Sequence, residues 1–244
     1  MGSIFKNYKI ILLSKESGII NWSKVDKTEF DGVLIKCGSR STDTDEYFEK
    51  NVKACINYKI PFGIFFTSNA NTVEQFEEVA DYINNLISPY KNKLSLPVYY
   101  SLNNSQKIDI DIVNDFIEQL EGNGYKIGVY IKKEYYSYIK NRLNNNISIW
   151  IENNESNNEN QNEKYDMIKS KKNLKISGIE QNLNFNFCFL DLSEEIKMKN
   201  NINDKTIEEL TRETLEGKYD NNGDREKKLG GLFKDVQDRI NDLV

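Results

Sequence analysis

The side chains able to do chemistry in this chain are mainly thiols and carboxylates, because its 244 residues include no histidine. That absence excludes Ser-His-Asp and Cys-His catalysis, and it excludes histidine-ligated zinc. Cys37, Cys55 and Cys188 are widely spaced and form no CxxC pair, so they indicate neither a zinc knuckle nor a disulfide framework. We predict three buried apolar thiols, no metal site and no cofactor.

The charge balance limits the partners of the chain. Its 38 acidic and 33 basic residues give a formal net charge of −5, whereas non-specific nucleic-acid binding needs clustered cations. No segment approaches the roughly 18 continuous apolar residues of a membrane span. The first residues also lack the long apolar stretch and the cleavage site of a secretory signal. We therefore expect a protein made in the cytoplasm without a signal peptide, and neither nucleic acid nor membrane as a partner.

Short apolar runs alternate with segments of helical period over the first 190 residues. The runs are apolar on both faces, which is typical of buried parallel strands joined by helices. Up to eight such strands predict an irregular β/α barrel. The predicted strands are 9–13, 32–37, 62–67, 96–102, 126–131, 147–151, 165–169 and 184–190, and the predicted helices are 45–58, 72–86 and 111–122.

Two polar stretches divide the rest of the chain. Residues 152–163 are rich in Asn and Glu and predict a surface loop. Residues 194–205 predict a linker, and apolar residues then recur at the spacing of three short helices. The sequence therefore predicts a barrel at 1–193, a linker at 194–205 and a three-helix bundle at 206–244.

Three segments carry a resemblance to a known family. They are 14–22 (SKESGIINW), 46–52 (EYFEKNV) and the Leu-Pro-Val at 96–98. In this order and spacing, they resemble glycoside hydrolase family 25, the lysozymes (N-acetylmuramidases) of phages and Gram-positive bacteria. The resemblance implies a β/α barrel. It also implies an active site of carboxylates at the C-terminal ends of the strands, which cleaves the β-1,4 bond after N-acetylmuramic acid.

The acidic residues of that family are replaced in this chain. Glycoside cleavage needs one protonated and one ionised carboxyl group, and neither an amide nor a hydroxyl nor an alkyl side chain can serve as either. The resemblance therefore implies a degenerate muramidase, a pseudoenzyme with no catalytic residue. By the resemblance, the acidic positions fall on Leu12, Ser101, Asn103 and Asn184.

Two other residues near the expected cleft leave alternatives open. Tyr99 stands where the family has Trp, and it is either a glycan contact or a packed interior ring. Glu152 follows Trp150 at a strand end, and it is either a relocated catalytic acid or a solvated surface acid. The sugar-stacking aromatic residues that the family carries on its penultimate strand are missing from 165–170.

Residues 207–244 resemble the cell-wall-binding repeat of phage lysins, through the segment 217–225 (GKYDNNGDR). The resemblance implies peptidoglycan binding. The ring of Tyr219 would offer a face to a sugar, and Arg225 would offer its fork to a carbonyl or carboxylate. The alternatives are a packing role for Tyr219 and a solvated charge for Arg225. A single repeat implies weak binding, unless several copies act together.

Three functions remain open. The first is a non-catalytic protein that binds peptidoglycan at the bacterial cell wall. The second is a structural component of a phage, prophage or tail-like particle, with other tail proteins as partners. The third is an active peptidoglycan hydrolase with relocated carboxylates. A chain without a signal fits a phage or prophage origin, because phage proteins leave the cell by particle release or lysis.

Overall fold

The computed structural model describes residues 7–40, 43–102, 109–144, 147–152, 165–192, 207–217, 219, 225, 229 and 232–242. Eight strands close into a barrel in which neighbours along the chain are neighbours in the sheet. The β/α barrel predicted from the sequence is therefore confirmed. The strands are β1 (Tyr8–Leu13), β2 (Gly32–Gly38), β3 (Phe62–Thr67), β4 (Val98–Ser101), β5 (Ile127–Lys132), β6 (Ser148–Glu152), β7 (Met167–Leu174) and β8 (Leu183–Cys188).

Helices follow several strands and cover the outside of the barrel. Their apolar residues recur at helical spacing, so each helix buries one stripe against the strands. Thr72 and Asp109 begin two of them as N-caps, each accepting a hydrogen bond from a backbone N–H in the first turn. The helices are α1 (Phe48–Asn57), α2 (Val73–Ile87), α3 (Ile110–Gly122) and α4 (Lys133–Ile139), followed by α5 (Ile207–Leu215) and α6 (Phe233–Asn241).

The barrel lumen is filled by side chains. Tyr99 of β4 and Gly128 of β5 are register partners, and a Cβ at position 128 would lie 2.4 Å from the Tyr99 ring. Glycine is therefore needed beside this ring. All three cysteines are buried, as predicted.

The last strand corrects one expectation. Strands β1 to β7 pair in parallel, but β8 is antiparallel to both β7 and β1. β7 ends at Leu174 and β8 begins at Leu183, which leaves too few residues for the crossover that a parallel pair requires. The two strands therefore form a hairpin.

The C-terminal helices pack on one another and on the barrel. Leu210 of α5 and Val236 of α6 are buried, and they are continuous with the apolar layer outside the strands. The Tyr58 hydroxyl, directly after α1, donates a hydrogen bond to Asp235 Oδ2 at 2.9 Å. The predicted linker at 194–205 lies outside the described residues, as does most of the segment between α5 and α6 where the middle helix of the predicted bundle falls. Within the described ranges, no helix has the length and apolar character needed to cross a bilayer.

Candidate functional site

The mouth of the barrel is where the carboxyl ends of the parallel strands meet, and it carries no acid at the β1 and β4 positions. Leu12 is half-buried and packs against the side chains that fill the lumen. Ser101 ends β4 and is 4% exposed. Asn184 is exposed at the start of β8 and is the strand partner of Asn173 on β7. β7 pairs with β6 only at Met167 and Ile168, so Asn184 lies in the part of the β7–β8 hairpin that extends past β6. Asn103 lies outside the described residues.

The mouth instead contains a carboxylate that is engaged by its neighbours. Glu152 Oε1 lies 3.0 Å from Lys169 Nζ, and Lys132 is the register partner of Glu152 on β5. The Tyr130 hydroxyl also donates to Glu152, and burial together with this carboxylate raises the pKa of Tyr130 far above its ordinary value. Glu152 is thus held as a hydrogen-bond acceptor among an ammonium and a hydroxyl. Sequence reasoning missed both lysines, since only the strand register brings them to Glu152.

Aromatic rings fill the lumen beneath this mouth. The Trp150 ring lies 4.2 Å from the Tyr130 ring centroid, and it also contacts Phe65 and Tyr99. Tyr99 has no exposed surface, and its hydroxyl is 2.7 Å from Ser148 Oγ. Burial raises the pKa of Tyr99 well above its ordinary value. A sugar cannot reach a ring with no exposed surface, so the interior-packing alternative fits this arrangement and we leave Tyr99 out of the proposed site.

The C-terminal unit brings its two predicted binding residues together. The Tyr219 hydroxyl donates to Glu213 Oε2 at 2.9 Å, and Arg225 Nε donates to the Tyr219 carbonyl at 3.3 Å. Both side chains are half-buried. The carboxylate of Glu213 therefore holds the Tyr219 side chain at its hydroxyl, and Arg225 holds the backbone of the same residue.

A groove of about 980 Å³ is lined by α1, the turn at residues 19–23 and Asp235 of the last helix. Its walls include a stripe of α1 from Glu49 to Asn57, the segment at 44–46 and Asp235 of α6. Sequence reasoning missed this groove, because its lining residues are far apart along the chain, from Ile19 to Asp235.

The comparisons with known proteins bear on the barrel. The family profile described as "Glycosyl hydrolases family 25" matches residues 11–179, which is more than half of the chain. The chain belongs to glycosyl hydrolases family 25. The resemblance seen in the sequence is therefore confirmed at the level of the family. No curated protein matches the chain.

Solved structures from family 25 share the fold at low sequence identity. The bacterial lysozyme from Streptomyces coelicolor has a TM-score of 0.64 at 16% identity, covering 80% of this chain and 98% of its own. The catalytic domain of the endolysin ply40, from bacteriophage P40 of Listeria monocytogenes, has a TM-score of 0.61 at 17% identity, covering 81% of this chain and 98% of its own.

The modular autolysin LytC from Streptococcus pneumoniae, whose structure was solved with a synthetic peptidoglycan ligand, is another match. It has a TM-score of 0.63 at 24% identity and covers 77% of this chain. This chain spans about half of LytC, 47% of its length. At these identities, the structural likeness establishes the fold alone.

Proposed function

We propose that this chain is a non-catalytic member of family 25 that binds bacterial peptidoglycan, as a component of a phage, prophage or phage-tail-like particle. The observation that carries the proposal is the state of the barrel mouth. Leu12 and Ser101 stand where the family resemblance places acids, and the rim acid Glu152 is tied to Lys169 and Tyr130.

A general acid must hold a proton and deliver it to the leaving oxygen. Glu152 accepts hydrogen bonds from an ammonium and a hydroxyl. These contacts favour the ionised carboxylate, whereas a general acid must be protonated. A retaining pair of carboxyl groups also stands about 5–5.5 Å apart and an inverting pair about 6.5–9.5 Å apart. The Lys169 ammonium and the Tyr130 phenol that pair with Glu152 are not carboxyl groups, so neither can complete such a pair.

Binding to the wall is assigned to the C-terminal unit. Tyr219 supports this assignment because Glu213 accepts the hydrogen bond of its hydroxyl and Arg225 binds its backbone carbonyl. A tyrosine held at these two points would offer the face of its ring to a sugar. A single unit binds weakly, in the range where several copies on one particle gain avidity.

The test of catalysis uses purified Gram-positive cell walls. We expect neither turbidity loss nor release of reducing ends above a boiled control, because general acid–base catalysis alone contributes about 10²–10⁴-fold. Reducing-end release that Glu152→Gln abolishes would instead establish a relocated active site.

A restored variant sharpens the same test. Leu12→Asp, Ser101→Asp and Asn103→Glu together return three carboxyl groups to the strand ends. We expect the protein to fold and its activity to stay low, since the sugar-stacking residues are absent at 165–170. Full muramidase activity of this variant would show that the mouth still binds glycan.

The test of binding is co-sedimentation of the full chain with the same walls. We expect the full chain to sediment and Arg225→Ala to lose most of its retention. The matched control is Arg212→Ala, since Arg212 is exposed on α5 of the same unit. Equal retention of both variants would remove Arg225 from the binding site.

A further inference from the structure

The groove beside α1 is built by both parts of the molecule. One wall is the α1 stripe from Glu49 to Asn57, which is about 12 Å long at the helical rise of 1.5 Å per residue. The turn at 19–23 and Asp235 of α6 complete the lining. Ligand sites occur preferentially at such junctions between structural units.

A contact between the two parts fixes the shape of the groove. Asp235 accepts the hydrogen bond of the Tyr58 hydroxyl at 2.9 Å, and Lys27 Nζ lies 4.2 Å from the Tyr58 ring centroid. Trp22 stacks on the same ring, with a centroid separation of 6.3 Å. Burial lowers the pKa of Lys27, against the opposing effect of Asp26 and Asp235. The groove is therefore held by a packed set of side chains.

The lining of the groove is amphiphilic. Ile19 is 63% exposed at its edge, and Ala54 and the Trp22 ring form apolar surface within it. Asn21 and Asn57 are exposed amides that both donate and accept hydrogen bonds. A sugar ring presents the same combination of apolar C–H faces and hydroxyl groups.

A buried donor adjoins this lining. Asn51 is 2% exposed, and its Oδ1 accepts the Trp22 indole N–H at 3.4 Å. The Nδ2 group of Asn51 has no hydrogen-bond partner among the described residues. Because a buried amide N–H is costly to leave unpaired, the structure holds a spare donor next to a residue that lines the groove.

The charge of the groove narrows the class of ligand. Four carboxylates line it against two lysines, and the Glu49–Lys53 ion pair at 2.9 Å neutralises one of each. The remaining excess is negative and includes the exposed Glu46. Such a surface repels phosphate-rich wall polymers and attracts an ammonium group.

We propose that the groove between α1, the turn at 19–23 and Asp235 is a second glycan site, which takes amino sugars and prefers those with a free amine. The proposal rests on the proposed function, since it assumes that this chain meets cell-wall glycan. It differs from the family's active site in its residues, because the lining of the groove includes none of Leu12, Ser101 and Glu152.

The experiment uses tryptophan emission, since Trp22 and Trp150 are the two tryptophans of the chain. In the full chain with Trp150→Phe, Trp22 alone reports on the groove. We expect a saturable change on titration with a glucosamine tetramer. We expect about 1.4- to 5-fold weaker binding of the N-acetylglucosamine tetramer, the range of one exposed charge pair. The proposal is overturned if neither tetramer gives a saturable change, or if glycerol-phosphate polymer binds more tightly than both.

Charge-matched variants assign the effect to the groove. Glu46→Gln should abolish the preference for the free amine, and Glu77→Gln, on the exposed face of α2, should retain it. In the converse variant, the full chain with Trp22→Phe, Trp150 is the remaining tryptophan and reports on the barrel mouth. Its emission should not change on titration with either tetramer. A response of Trp150, or equal behaviour of the two glutamine variants, overturns the proposal.

Wall sedimentation separates this proposal from the proposed function. If the full chain sediments with walls and neither tetramer changes Trp22 emission, the groove is not a glycan site and wall binding stands. If the tetramers bind in the groove and the chain does not sediment with walls, the groove stands and peptidoglycan binding fails.

Discussion

The barrel mouth and the groove beside α1 are both concave, but they use their polar side chains in opposite ways. At the mouth, Glu152 is engaged by Lys169 and Tyr130 above a lumen filled with rings. In the groove, Glu46 and Asn57 are exposed to solvent. A polar group satisfied within the protein has little to gain from a ligand, whereas an exposed one exchanges water for ligand. The groove therefore offers a ligand exposed polar groups, whereas the rim acid at the mouth is already paired within the protein.

The largest expected effect tests how tightly the lumen is packed. Trp150→Ala removes a ring that contacts three others, and we expect it to lower the free energy of unfolding by about 3–5 kcal/mol. Urea denaturation followed by circular dichroism measures this loss. A loss below about 1 kcal/mol would mean that the lumen relaxes around the cavity, and the contrast with the groove would then disappear.

Alkaline pH tests the same lumen through Cys188. Burial raises the pKa of this thiol to about 12 in the folded protein. At a pH above the pKa of the unfolded cysteine, the thiol ionises in the unfolded state before it does so in the folded state, so the free energy of unfolding falls as the pH rises. The stabilisation that the protonated thiol gives to the folded state is fully present below about pH 8.5, the pKa of an unfolded cysteine. Above that pH it falls by about 1.4 kcal/mol per pH unit, until the pH reaches the pKa of Cys188 in the folded protein. We expect Cys188→Ala to have a shallower decline of unfolding free energy between about pH 9 and 11. The same slope in both proteins would contradict a buried titrating thiol.

The contact that shapes the groove gives a smaller effect. Tyr58→Phe removes the hydrogen bond to Asp235, and we expect a loss of about 1 kcal/mol in unfolding free energy. The control is Tyr90→Phe, since Tyr90 is half-buried, less so than the buried Tyr58, and its ring packs on Phe48 of α1. Equal losses in the two variants would mean that the Asp235 contact does not hold the C-terminal helices on the barrel.

The smallest effect belongs to the edge of the groove. Ile19 is 63% exposed, so we expect Ile19→Ser to change the unfolding free energy by less than about 0.5 kcal/mol. Thermal melting of the Ile19→Ser and Trp150→Ala proteins under the same conditions measures this small change against the large one. A large loss would show that Ile19 is packed and that this edge of the groove is closed.

Sequence patterns located the barrel strands well, because a strand buried on both faces is a continuous apolar run. The strand at 62–67 has the bounds of the observed β3, and the run at 147–151 differs from β6 by one residue at each end. The prediction that β8 runs parallel to its neighbours was wrong, because an apolar run does not show in which direction a strand runs. Helix α4 was missed altogether.

The site was harder to predict than the fold. Leu12 and Ser101 could be placed by family resemblance, and both lie on strands whose ends form the mouth. The ion pair of Glu152 with Lys169 depends on register across two strands, and the contact of Tyr58 with Asp235 joins residues 177 positions apart. Neither leaves a local pattern in the sequence, so only the folded chain shows them.

The seam between β1 and β8 has a consequence for how the chain is made. Asn186 Nδ2 donates to the Ile10 carbonyl across 176 positions, at the pairing that completes the sheet. During vectorial synthesis, β1 emerges first and keeps one edge of unpaired backbone groups until β8 leaves the ribosome. Such an edge pairs readily with other chains, and closure over so long a loop is slow. A nascent or prematurely terminated chain that ends before Cys188 therefore has two unpaired sheet edges. The hairpin of β7 and β8 covers both of them when β8 pairs with β1.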